Sequence, residues 1–205
     1  MSLSFTFLQK LYFLKTTISF FRKHWTVVLG SGLIAAVGRV IQLGGLGTIN
    51  TSTNIALEVL IEATRILLFV YVLGLANIKK GLLRIKHVCT HKDKRRQGWK
   101  IAVQNTRKEW TAILLNLGGF LLIAWALNYL IDLAAYETCL YLTLKKDGIL
   151  AASASEWTIL LFFKNLSVIP LTLVFEARLL LWLTNKLSDY KIATLVNKIN
   201  SAYSR

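Results

Sequence analysis

Four stretches of this chain are long and apolar enough to cross a lipid bilayer, at about 25–46, 55–77, 110–134 and 157–184. A helix needs about 20 mostly apolar residues to traverse the roughly 30 Å hydrocarbon core. Backbone polar groups in lipid are satisfied only inside a helix or a closed barrel. That constraint sets the expected fold class: all-α, a polytopic membrane protein with four transmembrane helices forming one integral membrane domain over 1–205. Trp25, Trp110 and Trp157 open three of the stretches, and Trp182 lies near the end of the last. Indole favours the headgroup region because its ring is apolar and its N–H polar.

Composition excludes the main alternatives. The chain is 55% hydrophobic and 17% charged, too rich in apolar residues for a disordered chain. Two cysteines in 205 residues do not make a disulfide scaffold.

Orientation follows from the flanking cations. Lys10, Lys15, Arg22 and Lys23 precede the first stretch. Lys79, Lys80, Arg84, Lys86, Lys92, Lys94, Arg95, Arg96, Lys100, Arg107 and Lys108 separate the second from the third, and Lys186, Lys191, Lys198 and Arg205 follow the fourth. Only Lys145 and Lys146 fall on the other side. The positive-inside rule therefore predicts cytoplasmic termini and a cytoplasmic central loop, in the plasma (inner) membrane. The net charge of +15 then describes one surface rather than the whole molecule.

Residues 1–24 lack the small-residue cleavage site of a signal peptide. Phe7, Leu11, Leu14, Ile18 and Phe21 recur at helical spacing with Lys10, Lys15 and Arg22 beside them. This pattern predicts an interfacial amphipathic helix, or else an extension packed on the bundle. Asn50-Thr51-Ser52 fits the glycosylation sequon, in a loop short enough to make the first two spans antiparallel neighbours. In the 78–109 connection, Ile78, Leu82, Ile85 and Cys89 predict that the second span continues as a helix beyond the membrane. Trp99, Ala102, Val103 and Thr106 predict a second helix leading into the third span. The polar run 91–98 between them is the expected turn of a basic cytoplasmic hairpin. Ile192, Leu195, Val196, Ile199 and Tyr203 give the 185–205 tail an amphipathic stripe.

The residues most informative about function are charges inside the spans, each costly in hydrocarbon and so expected to face protein or water. Glu58, Glu62 and Arg65 share one helical face, and Arg39 lies at a depth that suits a pair with Glu62. Lys164 lies at a comparable depth, while Glu176 and Arg178 sit nearer the cytoplasmic end and point in different directions. Opposite charges balance, which fits a buried network fixing helix register as well as a hydrated path. Gly32 and Ala36, with Ser31 and Ala35, give the first span small-xxx-small faces for close helix contact, within one chain or between chains. Gly118-Gly119 offers the third span a similar face, and Asn116 and Asn128 offer interhelical hydrogen bonds.

His87, Cys89 and His91 do not supply the four ligands of a structural zinc site, so no metal or other cofactor is expected. Cys89 is a juxtamembrane palmitoylation candidate. No phosphate-binding glycine loop, HExxH or GxSxG occurs, so no enzyme activity and no small-molecule substrate are expected. The basic loop, through Lys79, Lys80, Arg84, Lys86, Lys92, Lys94, Arg95, Arg96, Trp99 and Lys100, suits a topogenic role or anionic headgroups. Trp99 among cations would also allow contact with a nucleic acid or an acidic protein. The expectation for the whole chain is a small membrane protein that self-associates into a homo-oligomeric channel or pore. The alternative is an accessory subunit that recruits a cytoplasmic partner through this loop.

Overall fold

The computed structural model describes residues 11–186. Within them the chain is helical and contains no strand. Its elements are α1 (Tyr12–Lys23), α2 (Trp25–Gln42), α3 (Thr51–Leu73), α4 (Ile78–Thr90), α5 (Lys92–Lys108) and α6 (Trp110–Asp132). After these come a π-helical turn (Leu133–Glu137), α7 (Leu140–Lys146), α8 (Glu156–Phe163), a second π-helical turn (Lys164–Val168) and α9 (Ile169–Leu183). Three helical runs, Trp25–Gln42, Trp110–Glu137 and Glu156–Leu183, are long and apolar enough to cross a membrane. A fourth is added if α3 and α4, bent by 90° at their junction, count as one span. Trp25, Trp110 and Trp157 are all more than half exposed at the starts of their runs, as residues seated among headgroups would be. The predicted tail stripe lies outside the described residues, as do Phe7 and Lys10 of the predicted interfacial stripe.

The chain falls into two compact units. In the first, Ile18–Phe69 with Gly118–Val174, the apolar core is Ile131, Ala135, Leu150, Ala154, Ile159 and Leu160. Ser153 donates its hydroxyl to the Gly44 carbonyl at 2.9 Å, and the Ala151 amide donates to the Gly45 carbonyl at 2.7 Å. These bonds hold the α7–α8 connection against the end of α2. The short helix α7 is not foreshadowed by any of the sequence patterns above.

The small residues of α2 serve contacts within the chain. A Cβ on Gly32 would come within 2.9 Å of the Leu166 carbonyl oxygen and of Pro170 Cγ, so α2 approaches the second π turn backbone to backbone. Gly38 likewise faces Ile61, at 2.9 Å. Pro170 accounts for the π turn: it has no N–H and its ring crowds the carbonyl four residues back. The helix widens there, and the Ile169 N–H bonds to the Lys164 carbonyl, five residues back. Gly30 and Gly118 have nothing within 4 Å of an added Cβ. Gly32→Ala should therefore cost about 1–3 kcal/mol by overpacking, whereas Gly30→Ala should be neutral or stabilising by under about 1 kcal/mol. Denaturant titration of both variants in mixed micelles checks this, and equal losses would remove the close-approach argument.

The second unit comprises residues 11–17, 70–117 and 175–186 of those described. Phe13 is 2% exposed and stacks edge-on against Phe175 (5.3 Å) and face-on against Trp182 (5.4 Å). The Leu14 amide donates to Asn116 Oδ1 at 2.7 Å. The start of α1 is thus packed on protein through Phe13, while Ile18 of the predicted apolar stripe remains exposed. Asn116 makes the interhelical bond expected of it. Asn128 instead bonds within its own helix, to the Ala124 carbonyl.

Two expectations for the central loop change. The second span does not run on as a straight helix: α3 stops at Leu73, Leu75 and Ala76 take left-handed φ values of 55° and 71°, and α4 leaves at 90°. Asn77 caps α4, its side chain accepting the Lys80 amide at 3.0 Å. The predicted polar turn over 91–98 shrinks to His91. From Lys92 onward the chain is helical, because Lys, Arg and Gln are good helix formers and Asp93 sits favourably in the first turn with Arg107 and Lys108 in the last.

Candidate functional site

The charges of α2 and α3 in the first unit form a continuous ladder along α3. Arg39, near the end of α2, grips Glu58 with both guanidinium nitrogens, Nη1 to Oε2 at 2.7 Å and Nη2 to Oε1 at 3.0 Å. This bidentate pairing is the strongest ionic geometry available to arginine. Arg39 Nη2 also lies 3.9 Å from Glu62 Oε1, and the same oxygen accepts from Arg65 Nη1 at 2.5 Å. Arg65 Nη2 then donates to Asn165 Oδ1 at 2.7 Å, and Asn165 Nδ2 donates to the Leu161 carbonyl at 2.8 Å. At the other end, Gln42 accepts from Arg39 at 2.7 Å and donates to Glu58 and to the Asn54 carbonyl, each at 3.0 Å.

Two guanidiniums and two carboxylates alternate, so the ladder carries no net charge. Helical spacing explains the order, since residues 58, 62 and 65 fall on one face of α3. The expected Arg39–Glu62 pair is present only as the longer contact, and Arg39's principal partner is Glu58. The cause is the early end of α2 at Gln42, which brings Arg39 level with the first carboxylate. Lys164 makes no ion pair among the described residues. Its neighbour Asn165, 1% exposed, reaches Arg65 in its place. Glu176 is exposed and Arg178 is 6% exposed; both belong to the other unit, on different faces of α9.

Glu58 and Glu62 keep 47% and 48% of their side-chain surface exposed. Arg65 Nε is buried and has no hydrogen-bond partner among the described residues. The Arg65 side chain helps line a cavity with Ser31, Ala35, Thr64, Asn165 and Pro170, with room for about one water molecule. Nothing in the sequence marks Gln42 and Asn165 as members of the ladder, because an uncharged amide in an apolar run costs far less than a charge and raises no alarm.

In the second unit, Lys79, Lys80, Lys86, Lys92, Lys94, Arg95, Arg96 and Lys100 are exposed. Trp99 is 72% exposed among the last of them. Arg84 is turned inward, donating to the Leu73 carbonyl across the corner. Asn105 ties α5 to the end of α9 through the Leu183 carbonyl at 2.7 Å. The positive charge of Lys94, helped by partial desolvation and by His91, holds the His87 imidazole below its usual range. No group of three or more His, Cys, Asp or Glu side chains able to hold a metal occurs among the described residues. The chain matches no protein-family profile, no curated protein and no solved structure.

Proposed function

We propose that this chain is a small non-enzymatic membrane protein of four spans, with both ends and the basic hairpin on the cytoplasmic side. In this reading it self-associates through the α3 face to open a hydrated path. The observation that carries it is the half-exposed pair Glu58 and Glu62 in a ladder at membrane depth. Acyl chains cannot solvate ionised carboxylates, so that face needs water or a second copy of the chain. From Asn54 to Arg65 the ladder rises about 16 Å along α3, about half the hydrocarbon thickness. Four helices are too few to surround a water-filled lumen, so in this reading the path lies between copies.

Purified protein in liposomes should release a trapped ion gradient, and Glu62→Gln should reduce that release while helical content and particle mass stay unchanged. No flux at any pH or voltage, or a monomer in mild detergent, would sink the proposal. One observation favours a second reading: α5 buries none of its residues and presents Trp99 between cations. Such a surface suits an acidic cytoplasmic partner. Reversing the charges of Lys94, Arg95 and Arg96 should then abolish partner capture with insertion intact.

A further inference from the structure

The corner between α3 and α4 determines which side of α4 faces the membrane. At about 100° per residue, Ile78, Leu82, Ile85 and Cys89 fall within a narrow arc, with Gly81 and Val88 at its edge. Lys79, Lys80, Lys86 and His87 occupy the opposite half, where Leu83 is the single apolar residue. Gly81 is the buried residue of α4, and a Cβ there would run into the Val70 carbonyl in the last turns of α3. The Gly81 side of α4 is therefore pressed toward the apolar last turns of α3, residues 66–73, and the apolar arc lies on that same side. Yet Ile78 (43%), Leu82 (53%) and Val88 (40%) remain exposed, so none of the described residues covers this face.

We propose that α4 lies flat in the interface of an anionic bilayer, with Ile78, Leu82 and Ile85 among the acyl chains and Lys79, Lys80 and Lys86 against lipid phosphates. A helix leaving an apolar span at a right angle runs parallel to the membrane plane. Its apolar half then meets the hydrocarbon and its cationic half the headgroups. Each cation near an anionic leaflet strengthens the association by about fivefold. Arg84 is withdrawn from this set, because its guanidinium pins the corner through the Leu73 carbonyl. The inference rests on α3 crossing the bilayer and not on self-association.

The test uses the full chain in phosphatidylcholine nanodiscs, with and without phosphatidylglycerol, loaded at one copy per disc. Nitroxides are placed singly through Lys80→Cys, Leu82→Cys, Ile85→Cys and Lys86→Cys in a Cys89→Ser/Cys139→Ser background. Collision with oxygen, which concentrates in acyl chains, is compared with collision with a water-soluble nickel chelate. The oxygen-to-nickel ratio should be several-fold higher at 82 and 85 than at 80 and 86. That contrast should shrink when phosphatidylglycerol is omitted, and again with Lys79→Gln. Equal ratios around the helix would overturn the proposal, as would low access to both probes at 82 and 85, the mark of a protein surface. A contrast indifferent to phosphatidylglycerol would also overturn it, since headgroup charge would then play no part. Because each disc holds a single copy, absence of ion flux in liposomes leaves this result untouched.

Discussion

Arg39→Leu should cost about 3 kcal/mol or more of resistance to unfolding in lipid. Removing one partner of a paired charge leaves the other uncompensated, and here the leftover is the Glu58 carboxylate, otherwise held by both Arg39 nitrogens. In water a half-exposed carboxylate would be solvated at little cost. Against acyl chains it must protonate, recruit water or expel the helix. The double variant Arg39→Leu/Glu58→Leu should recover most of the loss, because Glu62 keeps Arg65 and neutrality returns. Detergent titration in bicelles, followed by tryptophan fluorescence, measures both. If single and double variants unfold alike, the ladder contributes packing rather than charge pairing.

The corner glycines should show an effect of similar size by a different route. A Cβ on Gly74 would strike the Asn77 carbonyl and crowd the Gly81 nitrogen at 2.7 Å. These obstacles are backbone, which cannot swing aside as a flexible side chain does. Gly74→Ala should lose about 3 kcal/mol or more, at the upper end of overpacking costs. Gly81→Val should swing α4 off its right angle. Distances between spin labels on α3 and α4 report that angle directly; unchanged distances in Gly81→Val would show that the corner does not depend on this close approach. Gly118→Ala, with open space around it, is the matched control and should leave stability unchanged or slightly raised.

The amino-acid order alone discloses the apolar runs, because hydrophobic length is a direct image of bilayer thickness. It also discloses the shared face of Glu58, Glu62 and Arg65, because helical spacing depends only on residue number. The corner is illegible for a reason of the same kind. Ile78, Leu82, Ile85 and Cys89 keep helical period whether α4 continues α3 or departs from it, and period carries no direction. The break rests on Leu75 and Ala76 in left-handed backbone, a conformation side chains of this kind rarely adopt. The Arg39–Glu58 pairing depends on where α2 ends, and helix termini are the least legible feature of a sequence. The cations around Trp99 are plain from their residue numbers, but its outward placement needs α5 to begin at Lys92, seven residues before it.

The π turn at Lys164–Val168 carries one residue more than a regular helix would need to cover the same distance. Deleting a single residue from it would leave hydropathy and membrane insertion untouched while rotating one half of that span against the other by more than a quarter turn. Asn165 would then lose its alignment with Arg65. Among chains descended from a common ancestor, a one-codon gap at this point would mark a lineage that had given up the ladder's far anchorage while keeping its place in the membrane.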